Sequence, residues 1–251
     1  MNVNRDVKTA GRTLALFEAF RRARAPMTLT RLAAELGAPI SSCHGLVRTL
    51  SARGYLYTSE RTRTIYPTKR LFEIAETIAR HDPILERVGP VLAELRDATG
   101  ETVLLGRRQA DAVLYLDVVE GRHTVRYSAR PGDIKPLHSS AIGKALLGRL
   151  NAGERAALFA RMPLARYTPA TIIDIGALEA DLATGTARGW FATRGENVAD
   201  VMGMAVTADA GGEVLGLAVA APLARAEANE AAYARALLAA RDAIEARGAG
   251  A

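Results

Sequence analysis

Apolar positions along the first part of the chain recur at helical spacing and then switch to alternation. Thr13, Leu14, Leu16, Phe17 and Phe20 predict a helix with one apolar face, ending in the charged run Arg21, Arg22, Arg24 before Pro26. A second helix opens on Thr28 or Thr30 as N-cap, sets Leu29, Leu32, Ala33 and Leu36 on one side, and stops at Gly37. After Ala38-Pro39-Ile40, Ser41 or Ser42 caps a third helix that turns Cys43, Leu46, Val47 and Leu50 inward and closes at Gly54. Tyr55-Leu56-Tyr57-Thr58 then alternates, Ser59-Glu60-Arg61-Thr62 supplies a turn, and Arg63-Thr64-Ile65-Tyr66-Pro67 returns as the second arm of a hairpin.

Helical spacing resumes with Leu71, Phe72, Ile74, Ala75 and Ile78, a helix over 68–80 that Asp82-Pro83 breaks. The next helix, 83–99, carries Ile84, Leu85, Val88, Val91, Leu92 and Leu95 on its apolar side and ends at Gly100. Beyond it the period falls to two. Strands are expected at 101–107, 113–119 and 124–129, helices at 140–150, 152–160 and 175–188, strands at 202–208 and 214–221, and a last helix at 226–247. This order predicts an α+β fold, an antiparallel sheet with helices packed on it.

Charge separates the same two parts. Residues 1–80 hold 14 Lys and Arg against 6 Asp and Glu, a balance of +8; the remaining 19 and 21 give −2. A GC-rich genome explains many arginines but not their asymmetry, which points to a polyanion-binding module joined to something else. Two short helices joined through a Gly-containing turn read as a helix-turn-helix, and the hairpin behind them as its wing; αα-hairpins of other folds are the plainer alternative. The third helix exposes Ser41, Ser42, His44, Gly45, Arg48 and Thr49, and the wing tip carries Arg61 and Arg63. Short polar groups and arginines of this kind reach base edges and phosphates. Thr28 and Arg31, at the start of the second helix, complete the expected double-stranded DNA contacts.

Other chemistries find little support. His44 has no His or Cys at ligand spacing, so no metal is expected, and Cys43 lies on the apolar face as a core residue. With one cysteine, no intrachain disulfide is possible, which fits a reducing cytoplasm. Residues 1–9 carry three charges and no apolar core, unlike a signal peptide, and no apolar run approaches the length of a membrane span. Ile142-Gly143-Lys144-Ala145 has a fragment of a phosphate-binding loop, but His138 stands where the first Gly belongs and Ala145 where a hydroxyl belongs. No nucleophile elbow or zinc-protease motif occurs, so no catalytic residue, enzyme activity or cofactor is expected.

Ordered motifs then run through the chain: Thr28-Leu29-Thr30-Arg31-Leu32-Ala33, Cys43-His44-Gly45-Leu46-Val47, Gly100-Glu101-Thr102-Val103, Pro136-Leu137-His138-Ser139-Ser140-Ala141-Ile142-Gly143-Lys144, Tyr167-Thr168-Pro169-Ala170-Thr171, Arg188-Gly189-Trp190 and Gly195-Glu196-Asn197. In order and spacing the chain resembles the isocitrate-lyase-regulator (IclR) family of bacterial transcription factors along nearly its whole length. The resemblance implies a winged helix-turn-helix in 1–68, a linker helix in 69–82, and a GAF-like effector-binding and oligomerisation domain in 83–251, assembled as homodimers or tetramers. Gly45 replaces the Arg that many relatives carry after the recognition-helix His, and Pro67-Thr68 replaces the usual Leu-Gly after the wing.

In such a family the effector pocket is lined by the loop around 132–142 and by facing strands near 202–206 and 216–220. Relatives that take very small acids present Cys or Ser at the positions of Gly203, Ala218 and Ala220; the small apolar residues here favour a flatter, more apolar body. The expected function is regulation of a catabolic operon, and the expected effector a small carboxylic acid, aromatic and hydroxybenzoate-like. A short aliphatic keto or hydroxy acid is the alternative, and a non-specific architectural DNA-binding protein the alternative of a different class. Arg126, Arg194, His138, Ser128, Ser139 and Ser140 are candidate carboxylate partners, with Ala141 and Ile142 at a helix N-terminus and Trp190 beside them.

Overall fold

The computed structural model describes residues 7–248, so the reading of 1–9 as no signal peptide lies largely outside the described residues. The chain divides into two compact units between Asp82 and Pro83.

The first unit opens with α1 (Lys8–Ala23), β1 (Met27–Thr28), α2 (Leu29–Glu35) and α3 (Ile40–Ala52), followed by β2 (Leu56–Thr58), β3 (Thr64–Pro67) and α4 (Arg70–Arg80). Leu16, Leu32 and Cys43 have no exposed surface and bring the three helices together, with Leu56 and Ile65 closing the core from the hairpin. Burying each leucine contributes about 1.5–3 kcal/mol. Thr28 resolves the choice of cap: its hydroxyl accepts the Arg31 N–H. Gly37, at φ +53°, supplies the left-handed residue that ends α2. The expected cap at Ser41 or Ser42 is corrected. Pro39 is the N-cap of α3, without a side-chain hydrogen bond, and both serines lie inside the first turn.

β1 pairs with β3 as a third strand that two residues could not announce in the sequence. Thr68 fastens the base of the hairpin, donating its hydroxyl to the Gly54 carbonyl (2.6 Å) and its N–H to the Tyr55 carbonyl. α4 begins two residues later than expected and buries none of its side chains.

The second unit runs α5 (Pro83–Thr99), β4 (Thr102–Gln109), β5 (Ala112–Val119), β6 (Ile134–Pro136), α6 (Ala141–Gly148), α7 (Ala152–Phe159), α8 (Ile175–Arg188), β7 (Phe191–Arg194), β8 (Val201–Asp209), β9 (Val214–Pro222), α9 (Leu223–Ala228) and α10 (Glu230–Gly248). One antiparallel sheet, ordered β6-β5-β4-β9-β8-β7, is covered on both faces. Strand alternation sends Val103, Leu105, Met204 and Leu217 against α5 and α10, and Leu104, Ala205 and Ala218 toward α6.

Two expectations fail here. Residues 124–129 form no strand; the chain crosses there as irregular backbone, with Thr102 donating its hydroxyl to the Tyr127 carbonyl in place of a ladder. The third strand is the three-residue β6 instead, too short to show a period. The terminal helix is two helices, α9 and α10, parted at Asn229, whose amide Nδ2 donates to the Arg225 carbonyl.

Candidate functional site

α3 carries one polar and one apolar face. Ser41, His44, Gly45 and Arg48 recur at three- and four-residue spacing and lie opposite Cys43, Val47 and Leu50. Ser41, His44 and Arg48 are exposed, while Ser42 and Gly45 are half-buried. The Thr49 hydroxyl returns to the Gly45 carbonyl (2.9 Å) and is already engaged. A Cβ added at Gly45 would meet nothing within 4 Å, so packing within the unit does not require glycine there.

Between β2 and β3 the wing tip closes with the Thr62 N–H on the Ser59 hydroxyl and the Arg63 N–H on the Ser59 carbonyl. Arg63 holds φ +53°, a left-handed conformation that a non-glycine residue seldom takes. Arg31, Arg48, Arg61 and Arg63 are all exposed, and among the described residues none has an ion-pair partner; Glu18, Glu35 and Glu76 pair with Arg21, Arg22 and Arg80 instead. Thr28 remains exposed at the α2 N-terminus.

In the second unit a cavity lies on the α6 side of the sheet. Its floor crosses the strands: Tyr115 from β5, Leu104 from β4, Ala218 and Ala220 from β9, Gly203 from β8 and Thr193 from β7. Ser139, Ser140, Ala141 and Ile142 form one wall, Asn197, Val198 and Val201 another, and Tyr127 comes from the irregular crossing. Glycines set how closely α6 lies on the sheet. A Cβ at Gly203 would stand 3.1 Å from both the Ala141 Cβ and the Thr193 Oγ1, and one at Gly216 only 2.3 Å from Ile142.

The cavity's chemistry is neutral. Among the described residues that line it there is no Lys, Arg, His, Asp or Glu. Ser140 caps α6, accepting the Gly143 N–H and donating its hydroxyl to the Pro136 carbonyl. The N–H groups of Ala141 and Ile142 have no acceptor among the described residues, and the helix dipole places partial positive charge there. Burial, with the Tyr127 hydroxyl next, raises the Tyr115 phenol, which therefore stays a neutral donor.

Seven of the twelve expected effector residues line this space: Ser139, Ser140, Ala141, Ile142, Gly203, Ala218 and Ala220. Five do not. Thr193 faces the cavity, so alternation turns its neighbour Arg194 to the opposite side, where it pairs with Glu230 at 2.7 Å. Arg126 is exposed and pairs with Glu120 at 2.7 Å. Ser128 is exposed. Trp190 packs on the α5–α10 side beneath the Arg188 guanidinium, 3.6 Å from the ring centre. His138 is buried, with Nε2 bonded to the Ala165 carbonyl; burial lowers its basicity.

Tyr115, Tyr127, Thr193 and Asn197 supply polar lining that the sequence reading did not name. Only Asn197 stood in a quoted motif; strand order brings in Tyr115 and Thr193, and the irregular crossing brings in Tyr127. No cluster of His, Cys, Asp or Glu suited to a metal occurs among the described residues. Nor is any described helix long and apolar enough to cross a membrane.

Comparison with known proteins bears on both units. Residues 9–60 match the family model described as the IclR helix-turn-helix domain, and residues 76–246 the one described as bacterial transcriptional regulator IclR C-terminal. The HTH-type transcriptional regulator BhcR of Paracoccus denitrificans is 35% identical over 164 residues, a match covering 65% of this chain and 59% of that relative's length. The crystal structure of Thermotoga maritima IclR superposes with a TM-score of 0.81 at 21% identity, over 97% of this chain and 99% of that one. An IclR homologue from Microbacterium hydrocarbonoxydans, solved with 4-hydroxybenzoate, superposes with a TM-score of 0.76 at 24% identity, over 97% and 100%.

Proposed function

The chain belongs to the IclR family of bacterial transcriptional regulators, and from that premise we propose that its first unit binds operator DNA under control of an aromatic carboxylate held in the cavity of the second. The observation that carries the effector class is the neutral, largely apolar lining, with two free N–H groups at the α6 N-terminus as the place for the carboxylate. Leu104, Ile142, Val198 and Val201 offer a flat ring apolar surface, while Tyr115, Tyr127 and Thr193 offer hydroxyls to a ring substituent. A compact aliphatic keto acid would leave those hydroxyls and that surface without partners. The 4-hydroxybenzoate bound to the Microbacterium homologue supports the same class.

On the DNA side, the polar row Ser41, Ser42, His44, Gly45 and Arg48 is assigned to the major groove. Arg31 and Thr28 are assigned to phosphate at the α2 N-terminus, and Arg61 and Arg63 to the wing contact. Four unpaired arginines favour steep salt dependence. The protein is read as a cytoplasmic regulator of a catabolic operon, with no catalytic role. It acts as a homodimer or a dimer of dimers: Phe72 and Ile78 of α4 are 64% and 68% exposed, an apolar face that a second copy would cover.

A thermal-shift series tests the effector reading. At about 100 times its dissociation constant, a bound acid adds roughly 2.7 kcal/mol to stability. Hydroxybenzoates are expected to raise the melting temperature and aliphatic keto acids to leave it unchanged; the reverse pattern contradicts the proposal.

A further inference from the structure

Lys144 has the bulkiest side chain among those described as fully buried. Its ammonium meets Glu196 Oε1 at 2.6 Å and Asp181 Oδ2 at 2.7 Å, and lies 3.5 Å from the Ala192 carbonyl. Asp181 on α8 is about one-third exposed, whereas Glu196 is nearly as buried as the lysine. Burial pushes the Glu196 carboxyl up against the opposing pull of Lys144, and its second oxygen has no partner among the described residues. Such pairs give little net stability, since apolar residues of similar size are often neutral or better in their place. What this pair does join is the two walls of the cavity.

Lys144 sits on α6, within one turn of Ala141 and Ile142. Glu196 belongs to the turn that presents Asn197 and Val198. Each wall is also fixed by itself. A Cβ at Gly143 would fall 2.2 Å from the Leu137 carbonyl oxygen, so α6 is seated against the segment before it. The turn is held by the Thr171 hydroxyl on the Glu196 carbonyl and the Thr168 hydroxyl on the Gly195 carbonyl, both 2.6 Å. Among the described residues, the one other side-chain hydrogen bond between the walls is the long contact from Asn197 Nδ2 to Ser139 Oγ, 3.4 Å.

We propose that the Lys144–Glu196 ion pair is a positioning device for the effector cavity, clamping the α6 N-terminus to the 195–199 turn so that donors on both walls meet one ligand. Neither side chain lines the cavity, so neither touches the ligand. The inference takes the cavity as the effector site and so rests on the reading above.

The test compares the full-length protein with Lys144→Met/Glu196→Leu, which removes both charges of the pair, keeps the volume and leaves the part-exposed Asp181 to solvent. Hydrogen exchange of residues 143–147 and 195–201, without ligand, is expected to quicken at least about tenfold while the melting temperature holds or rises. Where 4-hydroxybenzoate binds the wild type, its affinity is expected to fall at least about tenfold in the variant. Unchanged exchange in either segment overturns the clamp. If the double variant does not fold, Glu196→Gln, nearly isosteric and still an acceptor, is measured instead: faster exchange in both segments supports the clamp and wild-type exchange overturns it. Failure of 4-hydroxybenzoate to bind the wild type counts against the aromatic effector alone, because the exchange comparison needs no ligand.

Discussion

The two units present their candidate chemistry in opposite ways. In the first, the candidate residues sit on the polar face of α3, at the start of α2 and on one hairpin tip, and their arginines are exposed, with no ion-pair partner among the described residues. In the second, they come from five strands, a helix terminus and two irregular segments, and the space they enclose holds no charge on its lining. A polyanion can be met by side chains that need only reach outward. A small ligand needs a volume, and volume is set by residues that stay small: Gly203, Ala218 and Ala220 on the floor, with Gly216 letting Ile142 down onto the sheet.

Substitutions that separate the two regions sharpen this contrast. The largest effect is expected from Gly203→Val. Its side chain starts 3.1 Å from Ala141 and Thr193 and grows into the cavity. Binding of 4-hydroxybenzoate should weaken by at least about 100-fold, roughly 2.8 kcal/mol, in calorimetry, with DNA affinity unchanged in fluorescence anisotropy. Retained ligand binding would remove the cavity from the account. Arg48→Ala is its mirror image, expected to cost about 1–3 kcal/mol of DNA affinity and to leave the ligand-induced thermal shift intact.

Gly45→Ala has a smaller effect with two signs. Glycine inside a helix costs up to about 1 kcal/mol relative to alanine, and open space surrounds this one. Chemical denaturation should show a stability gain of that order. DNA affinity should fall, because the added Cβ lies on the face assigned to the groove. A stability gain with unchanged DNA binding would move the interface off this face.

How far each region was legible follows from the same geometry. Helix α3 and the wing could be read because one amphipathic period and one turn contain them; Arg48 and Cys43 part to opposite faces by spacing alone. The cavity could be read where a motif ran along it, from Ser139 to Ile142, and at Gly203, Ala218 and Ala220, which the family resemblance set on facing strands. Tyr115 and Thr193 sit on strands that neighbour neither each other nor α6 in sequence, and only the order β5-β4-β9-β8-β7 brings them to one floor. Arg126 and Arg194 were expected inside for their charge. Glu120 and Glu230 hold them outside, and a cavity with helix N–H groups at one wall needs no cation.

The smallest expected effect is on pH dependence. Burial lowers the His138 basicity below the usual imidazole range near 6.5. The unfolded chain then binds a proton that the folded chain refuses. Stability from this group is complete above about pH 6.5 and declines as pH falls toward the lower folded value. His138→Gln should flatten the drop in melting temperature between about pH 7.5 and 5.5; an unaltered slope would mean that other groups set it.

The central claim is that the exposed cations of one region answer to the uncharged cavity of the other. The most direct measurement is fluorescence anisotropy of the full chain on a DNA fragment selected from its own genome, titrated with and without 4-hydroxybenzoate. The account predicts sequence-selective, salt-steep binding whose affinity changes at least about fivefold with ligand, and that Gly203→Val abolishes the change. Ligand binding confirmed by calorimetry with DNA affinity unchanged would contradict it.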